Sequence, residues 1–244
     1  MINPNLFSVS DIRRMLVNKY KAKEYTIDKT CVKTVELIGM SFIASDDTIF
    51  GTVNEDYISR EFDWYLSRSL FVKDIPGDTP AIWNQVASVN GEINSNYGYL
   101  ALSEENGAQF ANVCNELRSN KDSRRANMIY TRPSMHTDYN RDGMSDFICT
   151  NTVQYFIRDS KVSCIVNMRS NDAWAGYRND YAWQKYMLGL VAMDLYGSAY
   201  KEFVGDIVWQ VGSLHLYEKQ FYLLDHFSKT GEYRVTKKDV DAYE

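Results

Sequence analysis

The sequence predicts a compact α/β domain, on three observations. The chain has 244 residues, of which 45% are hydrophobic, so it can bury a substantial core. Stretches with apolar residues at helical spacing are interspersed with stretches in which apolar and polar residues alternate. No repeat, low-complexity tract or linker rich in Pro, Gly or Ser divides the chain. The length also fits two small domains, but one domain over residues 1–244 is the simpler interpretation.

The first two helices are indicated by capping residues. Ser8 and Asp11 have the spacing of a capping box, which predicts a helix beginning there. A strand is expected from about residue 32 to residue 44, and a second helix from residue 56 to about residue 70, with Asn54 as a possible cap. Apolar residues recur at helical spacing in both helices.

The middle of the chain reads as one helix followed by three strands. Ser103 is a plausible cap for a helix with an apolar face formed by Phe110, Val113, Cys114 and Leu117. Alternation then predicts strands over residues 126–131, 147–158 and 162–169. The last two are joined only by residues 159–161, which indicates an antiparallel pair.

The C-terminal third combines helices and short strands. An apolar helix is predicted over residues 181–195 and two strands over residues 206–211 and 213–217. A final helix is expected over residues 218–229, closed by Gly231.

Charge and composition exclude several classes of protein. The net charge of −5 disfavours a nucleic-acid-binding protein that neutralises many phosphates, although a mononucleotide needs only a few arginines. No long apolar run or basic leader is present, so we expect a cytoplasmic protein without a membrane span. The four cysteines lack C-x-x-C spacing, which argues against zinc and predicts free thiols.

A calcium-loop pattern in the sequence is incomplete. Asp138, Asn140, Asp142 and Gly143 match its opening positions, but the twelfth position requires a bidentate Glu and is Cys149. A polar loop explains these residues better.

Cys149 is the candidate nucleophile. Its position in the alternating run 147–157 predicts that its side chain shares a strand face with Asn151, Val153 and Tyr155. A thiol there is compatible with core packing or with catalysis, and nearby positive charge would favour the reactive thiolate. Arg169, at the end of the next predicted strand, is a candidate for that charge or for binding phosphate, and a surface residue is the alternative.

Four other acidic or polar residues have both structural and functional interpretations. Glu61 lies on an apolar helix face, where burial would raise its pKa and suit a general acid or base, or it pairs with a basic neighbour. Asp180 precedes a predicted helix, so it either caps that helix or binds a ligand. His215 and Tyr217 face the same side of a short strand, either as core residues or as partners of a ligand hydroxyl.

These residues together resemble the thymidylate synthase superfamily from about residue 28 to residue 231. The order of the matching segments is the specific part. They are Asp28-Lys29-Thr30, Arg60-Glu61, Trp83, Tyr97-Gly98, Asp122-Ser123-Arg124-Arg125, Cys149, Arg169-Ser170-Asn171-Asp172, Gly176, Asn179-Asp180 and Ser213-Leu214-His215-Leu216-Tyr217. Within the superfamily, the segments 69–76, 91–97, 149–155 and 179–184 resemble those of the phage deoxycytidylate 5-hydroxymethyltransferases.

The resemblance implies a fold, an assembly and a reaction. The fold is a large mixed β-sheet packed by helices, and two copies form a homodimer, sheet to sheet, with shared active sites. Cys149 attacks C6 of a pyrimidine nucleotide, and C5 then receives a one-carbon unit from 5,10-methylenetetrahydrofolate. Glu61 manages protons and orders water.

The resemblance also implies how the ligands are held. The phosphate is bound by Lys29, Arg169, Ser170 and, from the partner subunit, Arg124 and Arg125. His215 and Tyr217 hold the sugar 3′-hydroxyl, and Asn171 belongs to the same substrate-binding set. Trp83, Tyr97 and Asp172 contact the folate.

Residue 180 distinguishes the bases. Thymidylate synthases have Asn there, whereas this chain has Asp180. A carboxylate only accepts hydrogen bonds, which suits the exocyclic amine of cytosine and leaves uracil O4 facing an acceptor. Thr150 is a second departure, since synthases usually have His after the nucleophile. The leading hypothesis is therefore hydroxymethylation of dCMP, and the alternatives are a dUMP methylase or hydroxymethylase, a CMP hydroxymethylase and a non-catalytic binding protein.

Overall fold

The computed structural model describes residues 5–27 and 31–243 and confirms an α/β fold. Within these residues seven strands form one sheet in the order β1-β3-β7-β6-β5-β4, with β2 paired to β3. The sheet is mixed because β1 runs parallel to β3, whereas β2 and β7 run antiparallel to it. The strands are β1 Phe7–Ser8, β2 Thr26–Ile27, β3 Lys33–Ile43, β4 Asn127–Ile129, β5 Thr150–Arg158, β6 Lys161–Asp172 and β7 Val204–Tyr217.

The helices account for most of the remaining described chain. They are α1 Val9–Lys21, α2 Glu55–Ser67, α3 Ala81–Val86, α4 Tyr97–Leu102, α5 Gln109–Ser119, α6 Met135–Asp138, α7 Ala175–Tyr196, α8 Phe221–Thr230 and α9 Lys237–Tyr243. In the part of the chain that the structure describes, no helix combines the length and the apolar character needed to cross a bilayer.

The fold divides into two compact units. Unit one comprises residues 1–53, 168–185 and 206–244, and unit two comprises residues 54–167 and 186–205. The single catalytic domain over residues 1–244 stays a prediction.

In unit one, α1 begins as its sequence predicts. The Ser8 hydroxyl accepts a hydrogen bond from the Asp11 amide, and the Asp11 carboxylate accepts one from the Ser8 amide, which completes the capping box. Ile12 and Leu16 are fully buried on one helix face. This face packs α1 onto β3 and α8.

Two expectations in unit one are wrong. The predicted strands 206–211 and 213–217 belong to the single strand β7, because pairing with β3 continues on both sides of Gly212. The helix predicted over residues 181–195 begins at Ala175. The final helix does close at Gly231, whose φ of +77° stops α8, although residues 218–220 form a separate 3₁₀ turn.

In unit two, α2 confirms one cap and α5 corrects another. Asn54 caps α2 by accepting a hydrogen bond from the Tyr57 amide. Ser103 does not cap α5, which begins at Gln109; Ser103 instead ends α4, and its hydroxyl accepts from the Asn106 amide in the following turn. The apolar face of α5 is buried as predicted through Val113, Cys114 and Leu117.

Strands β5 and β6 are joined by a tight turn. They are neighbours in the sheet, and the two residues between them, Asp159 and Ser160, have φ values of +50° and +62°. A two-residue turn with this backbone joins antiparallel strands, as the short connection in the sequence indicated.

Helices α2 and α4 approach each other at Gly98. A Cβ atom at this position would lie 1.8 Å from the Tyr65 carbonyl oxygen, so only glycine fits without a shift of one helix. Gly189, in α7, is also helical, but a Cβ there would meet only the Tyr200 ring, at 3.8 Å.

We therefore expect opposite effects from the same substitution at these two glycines. Gly98→Ala should lower the free energy of unfolding by about 3 kcal/mol or more through overpacking. Gly189→Ala should leave it unchanged or raise it by up to about 1 kcal/mol, because alanine favours a helix. Urea denaturation measures both values. Equal stability of the two variants would contradict the tight helix contact.

Candidate active site

Cys149 lies just before β5 rather than inside it. The strand begins at Thr150, so the predicted strand face shared by Cys149 and Asn151 is wrong. The thiol is half-buried, and its Sγ lies 3.9 Å from the Phe147 carbonyl oxygen as a weak donor. Val153 and Tyr155 are buried in β5 as that alternation implies.

The segment before Cys149 is fixed by a buried carboxylate instead of by strand pairing. Asp146 accepts hydrogen bonds from the backbone amides of Asn94 and Ser95, at 2.7 and 2.8 Å, and from the Ser95 hydroxyl at 2.6 Å. Charge-assisted bonds of this kind are strong. They explain why an irregular segment holds a defined position three residues before the thiol.

The other three cysteines are free thiols, as predicted, and two of them lie in surroundings that disfavour a nucleophile. Cys114 and Cys164 are buried and Cys31 is exposed. Burial raises the pKa of the Cys114 and Cys164 thiols above the ordinary value, which disfavours the thiolate.

Glu61 is buried within α2 and forms part of a hydrogen-bonded chain. The Trp83 indole donates to the Tyr57 hydroxyl at 2.8 Å, and that hydroxyl donates to Glu61 Oε1 at 2.6 Å. The alternative that Glu61 pairs with a basic side chain is wrong, since no described cation lies within ion-pair distance of it and its partner is a phenol.

The environment of Glu61 changes its ionisation. Burial raises the pKa of Glu61 to about 7, while hydrogen bonding from Tyr57, and more weakly from Tyr65, opposes the rise. The second carboxyl oxygen, Oε2, is buried and has no other hydrogen-bond partner among the described residues. The nearby Tyr65 hydroxyl stabilises the charged form of Glu61. A carboxyl with this pKa exchanges protons readily near neutral pH.

The predicted folate residues of unit two lie in an aromatic cluster. Trp83 is half-buried on α3, with its ring centre 5.1 Å from that of Trp64. Tyr97 is buried at the start of α4 and stacks on Tyr65 at 5.5 Å. The structure thus connects Trp83 to Glu61 through Tyr57, a residue that sequence reasoning assigned no role.

In unit one, Arg169, Ser170, Asn171 and Asp172 form the end of β6, which extends beyond the predicted end at residue 169. Arg169 is exposed and Asn171 is buried. The Asp172 carboxylate accepts a hydrogen bond from the Trp174 amide at 2.7 Å. Burial nevertheless raises the pKa of Asp172, against the attraction of His215, Lys219 and Arg178.

Asp180 is not a helix cap, because α7 begins at Ala175. Its Oδ2 accepts a hydrogen bond from Asn171 Nδ2 at 2.7 Å. The sequence analysis treated Asn171 as a substrate-binding residue and Asp180 as a helix cap or ligand contact, and it did not pair them. They meet because α7 already begins at Ala175.

His215 and Tyr217 share one face of β7, as predicted, with ring centres 5.0 Å apart. The imidazole Nδ1 lies 3.3 Å from the Ser213 hydroxyl, which donates to Glu36 on the paired strand β3. Ser213 and Glu36 therefore set the surroundings of His215. Ser213 belongs to the segment 213–217 that resembles the family, but nothing in the sequence indicated that Glu36 lies beside it.

The remaining predicted residues lie outside these clusters. Arg124 and Arg125 are exposed in the turn after α5, where Arg125 pairs with Glu116 at 3.1 Å. Lys29 lies outside the described residues. The expected polar loop is partly helical, because Asp138 ends α6 and residues 141–143 form a 3₁₀ turn. Asp138 accepts from Arg132 and Ser134, and the described chain contains no group of three or more His, Cys, Asp or Glu side chains arranged for a metal.

Comparison with known proteins identifies the family. The sequence model of the thymidylate synthase family matches residues 24–237. The chain is 58% identical over 234 residues to the deoxycytidylate 5-hydroxymethyltransferase of Enterobacteria phage T4, covering 95% of each chain. The enzyme of the same name from phage T2 is also 58% identical, over 237 residues and 96% of each chain.

More distant proteins agree with this assignment. A thymidylate synthase of Francisella tularensis subsp. holarctica is 25% identical over 170 residues, which is 66% of this chain and 60% of that protein. The structure of thermostable thymidylate synthase A from Bacillus subtilis has the same fold, with a TM-score of 0.67 at 19% identity, over 91% of this chain and 84% of that one. The family expected from the sequence motifs is confirmed, and the chain belongs to the thymidylate synthase family.

Proposed function

We propose that this protein is a deoxycytidylate 5-hydroxymethyltransferase. The observation that carries the proposal is the 58% identity, over nearly the whole chain, to phage enzymes of that name. The acid at residue 180 supports it independently, because a carboxylate complements an amino-pyrimidine.

Cys149 is the proposed nucleophile. Its thiolate adds to C6 of the cytosine ring, and the electron pair of the C5–C6 double bond becomes available for a new bond from C5. When bound, 5,10-methylenetetrahydrofolate supplies the one-carbon unit. The C5 proton is lost as the bond between the transferred carbon and the folate nitrogen breaks, with the nitrogen keeping the electron pair. Water then adds to the transferred carbon, and expulsion of the Cys149 sulfur restores the C5–C6 double bond. A half-buried thiol outside the strand ladder suits this role, because it is accessible to a ring.

Glu61 is the proposed proton carrier. A pKa of about 7 keeps both protonation states populated near neutral pH, so the carboxyl can accept a proton in one step and return it in another. Tyr57 and Trp83 orient Glu61 through the hydrogen-bonded chain.

We also propose that Trp83, Tyr97 and Asp172 contact the folate. Their chemistry fits this ligand. A pterin is flat and carries several N–H donors. Trp83 and Tyr97 provide aromatic surface, and the half-buried Asp172 carboxylate provides an acceptor.

We propose that Arg169, Ser170 and Lys29 bind the phosphate, with His215 and Tyr217 at the sugar. The partner subunit's Arg124 and Arg125 would complete the phosphate site in a homodimer. Two observations support this assembly. Both arginines are exposed, and Ile38, on the same face of paired strands β3 and β7 as His215, is 69% exposed although it is paired with Ser213 in the sheet.

The function is tested by incubating the protein with 5,10-methylenetetrahydrofolate and either dCMP, dUMP or CMP. We expect 5-hydroxymethyl-dCMP, identified by mass. Cys149→Ser should reduce turnover to about one thousandth or less, whereas Cys114→Ser should retain activity, because a hydroxyl replaces a buried thiol that contacts Asp194. A methylated uracil product, or an active Cys149→Ser variant, would contradict the proposal.

Glu61→Gln should separate activity from stability. Turnover should fall about 100-fold or more. Because the pKa of Glu61 rises from 4.5 to about 7 on folding, the parent protein loses up to about 3 kcal/mol of stability as the pH rises from about 4.5 to 7. Glu61→Gln should lack this loss and be the more stable protein at pH 8. Chemical denaturation at pH 5 and pH 8 measures the difference, and parallel pH dependence in both proteins would refute the buried acid.

Asp180→Asn should change the preferred base. An amide can donate to uracil O4, so the ratio of kcat/KM for dCMP to that for dUMP should fall at least about 100-fold. Kinetics with each nucleotide test this. A variant that remains fully selective for dCMP would show that residue 180 does not read the base.

A further inference from the structure

We infer that Asn171 is a positioning residue that determines which hydrogen-bonding group residue 180 presents to the pyrimidine. The inference rests on the proposed function and assigns Asn171 a role in base selectivity in place of a direct contact with the substrate. The two residues come from β6 and α7 and meet through a single hydrogen bond of 2.7 Å.

The direction of this hydrogen bond follows from chemistry. Asn171 is 3% exposed, and its amide offers one donor group and one acceptor. A carboxylate can only accept, so Nδ2 must face Asp180. The opposite amide orientation would place two acceptors together. Oδ1 has no hydrogen-bond partner among the described residues, so no competing donor within the described protein favours that orientation.

Gly176 provides the space for this pair. A Cβ atom at residue 176 would lie 3.1 Å from Asn171 Nδ2 and 3.8 Å from Asp180 Oδ2. The first distance is tighter than most real contacts of a Cβ atom, and Asp172 Cβ would lie 3.2 Å away. Gly176→Ala would therefore push on the Asn171 amide, and on the backbone beside it, without changing any charge. Gly176 and Asp180 are one helical turn apart in α7, which places the glycine beside the pair.

The fixed donor has a different consequence for each residue at position 180. With Asp, one carboxylate oxygen is held by Asn171, which orients the other as an acceptor. With Asn, the amide oxygen is the atom that Asn171 holds, so the NH₂ group is directed the other way, as a donor. Asn171 thus converts the choice between Asp and Asn into a choice between acceptor and donor.

Nucleotide binding tests this role without relying on turnover. Titration calorimetry measures the Kd of dCMP and of dUMP for the parent protein and for Asn171→Ser. We expect the ratio of the two affinities to move at least tenfold towards uracil in Asn171→Ser, because one hydrogen bond to a charged group is lost. Gly176→Ala should move the ratio in the same direction and serves if Asn171→Ser does not fold.

Asn96→Ser is the matched control. Asn96 is also fully buried, but its amide donates to the backbone carbonyls of Trp64 and Ser69. Its replacement should lower stability and leave the affinity ratio unchanged. An equal ratio in the parent, Asn171→Ser and Gly176→Ala proteins would overturn the inference.

Asn171→Asp gives a second readout that a purely structural role would not produce. Two adjacent carboxyl groups share a proton, so the new acid can donate to Asp180 only at lower pH. The affinity of this variant for dCMP, relative to the parent at each pH, should rise as the pH falls from 8 to 5. Asp172, the next residue along β6, and the groups that act on it, His215, Lys219 and Arg178, are common to both proteins, so the ratio cancels their titration.

Failure of this inference is distinguishable from failure of the proposed function. A parent protein that makes no 5-hydroxymethyl-dCMP refutes the function. A parent protein that makes it, together with Asn171 variants whose base preference and pH dependence match the parent, refutes only the role of Asn171.

Discussion

A carboxylate can only accept hydrogen bonds, and in this protein the buried Asn171 amide donates one to the Asp180 carboxylate. The contact between Asn171 and Asp180 joins the end of β6 to α7, and it requires both a helix that starts at Ala175 and a residue without a side chain at position 176. The proposed discrimination between cytosine and uracil depends on this local geometry. Base selectivity is therefore a property of backbone placement as much as of the residue that touches the base.

Glu61 illustrates the opposite use of an acid. In the proposed mechanism Asp180 serves as an acceptor, whereas Glu61 serves as a proton carrier because burial raises its pKa to about 7. The same burial disfavours the folded state above neutral pH. The aromatic residues around Glu61 supply a partner, through Tyr57, and remove water. Function at this position thus opposes stability, a conflict that is common at reactive sites.

Periodicity and caps in the sequence predicted many of the elements, and the failures have physical causes. The capping box at Ser8 and the stop at Gly231 depend on neighbouring residues, so both were predictable. The start of α7 at Ala175 was not predictable, because residues 175–180 have no apolar residues at helical spacing. Ser103 was misassigned because a serine hydroxyl that accepts a backbone hydrogen bond can stabilise either the start of a helix or a turn. In this protein Ser103 ends α4 and stabilises the following turn.

The candidate site was predictable through its motifs more than through its geometry. Cys149, Asp180 and His215 were found in order along the chain, and the family they indicated is confirmed. The supporting residues Glu36 and Asp146 were not found, because each acts through contacts between residues distant in sequence. Such contacts leave no periodic signal in a single sequence. Tyr57 lies one helical turn from Glu61, but this spacing alone does not show which apolar neighbour bonds the acid.

The Asp146 carboxylate has a mechanical consequence for the sulfur three residues later. A residue inside a sheet is tethered on both sides by its ladder, so displacement of its side chain strains neighbouring strands. The stretch ending at Cys149 is instead held at Asp146, whose carboxylate accepts hydrogen bonds from Asn94 and Ser95, and β5 begins only at Thr150. The proposed nucleophile is thereby tied, through Asp146, to the segment that leads into α4, so the thiol and Tyr97, a proposed folate contact, share one anchor.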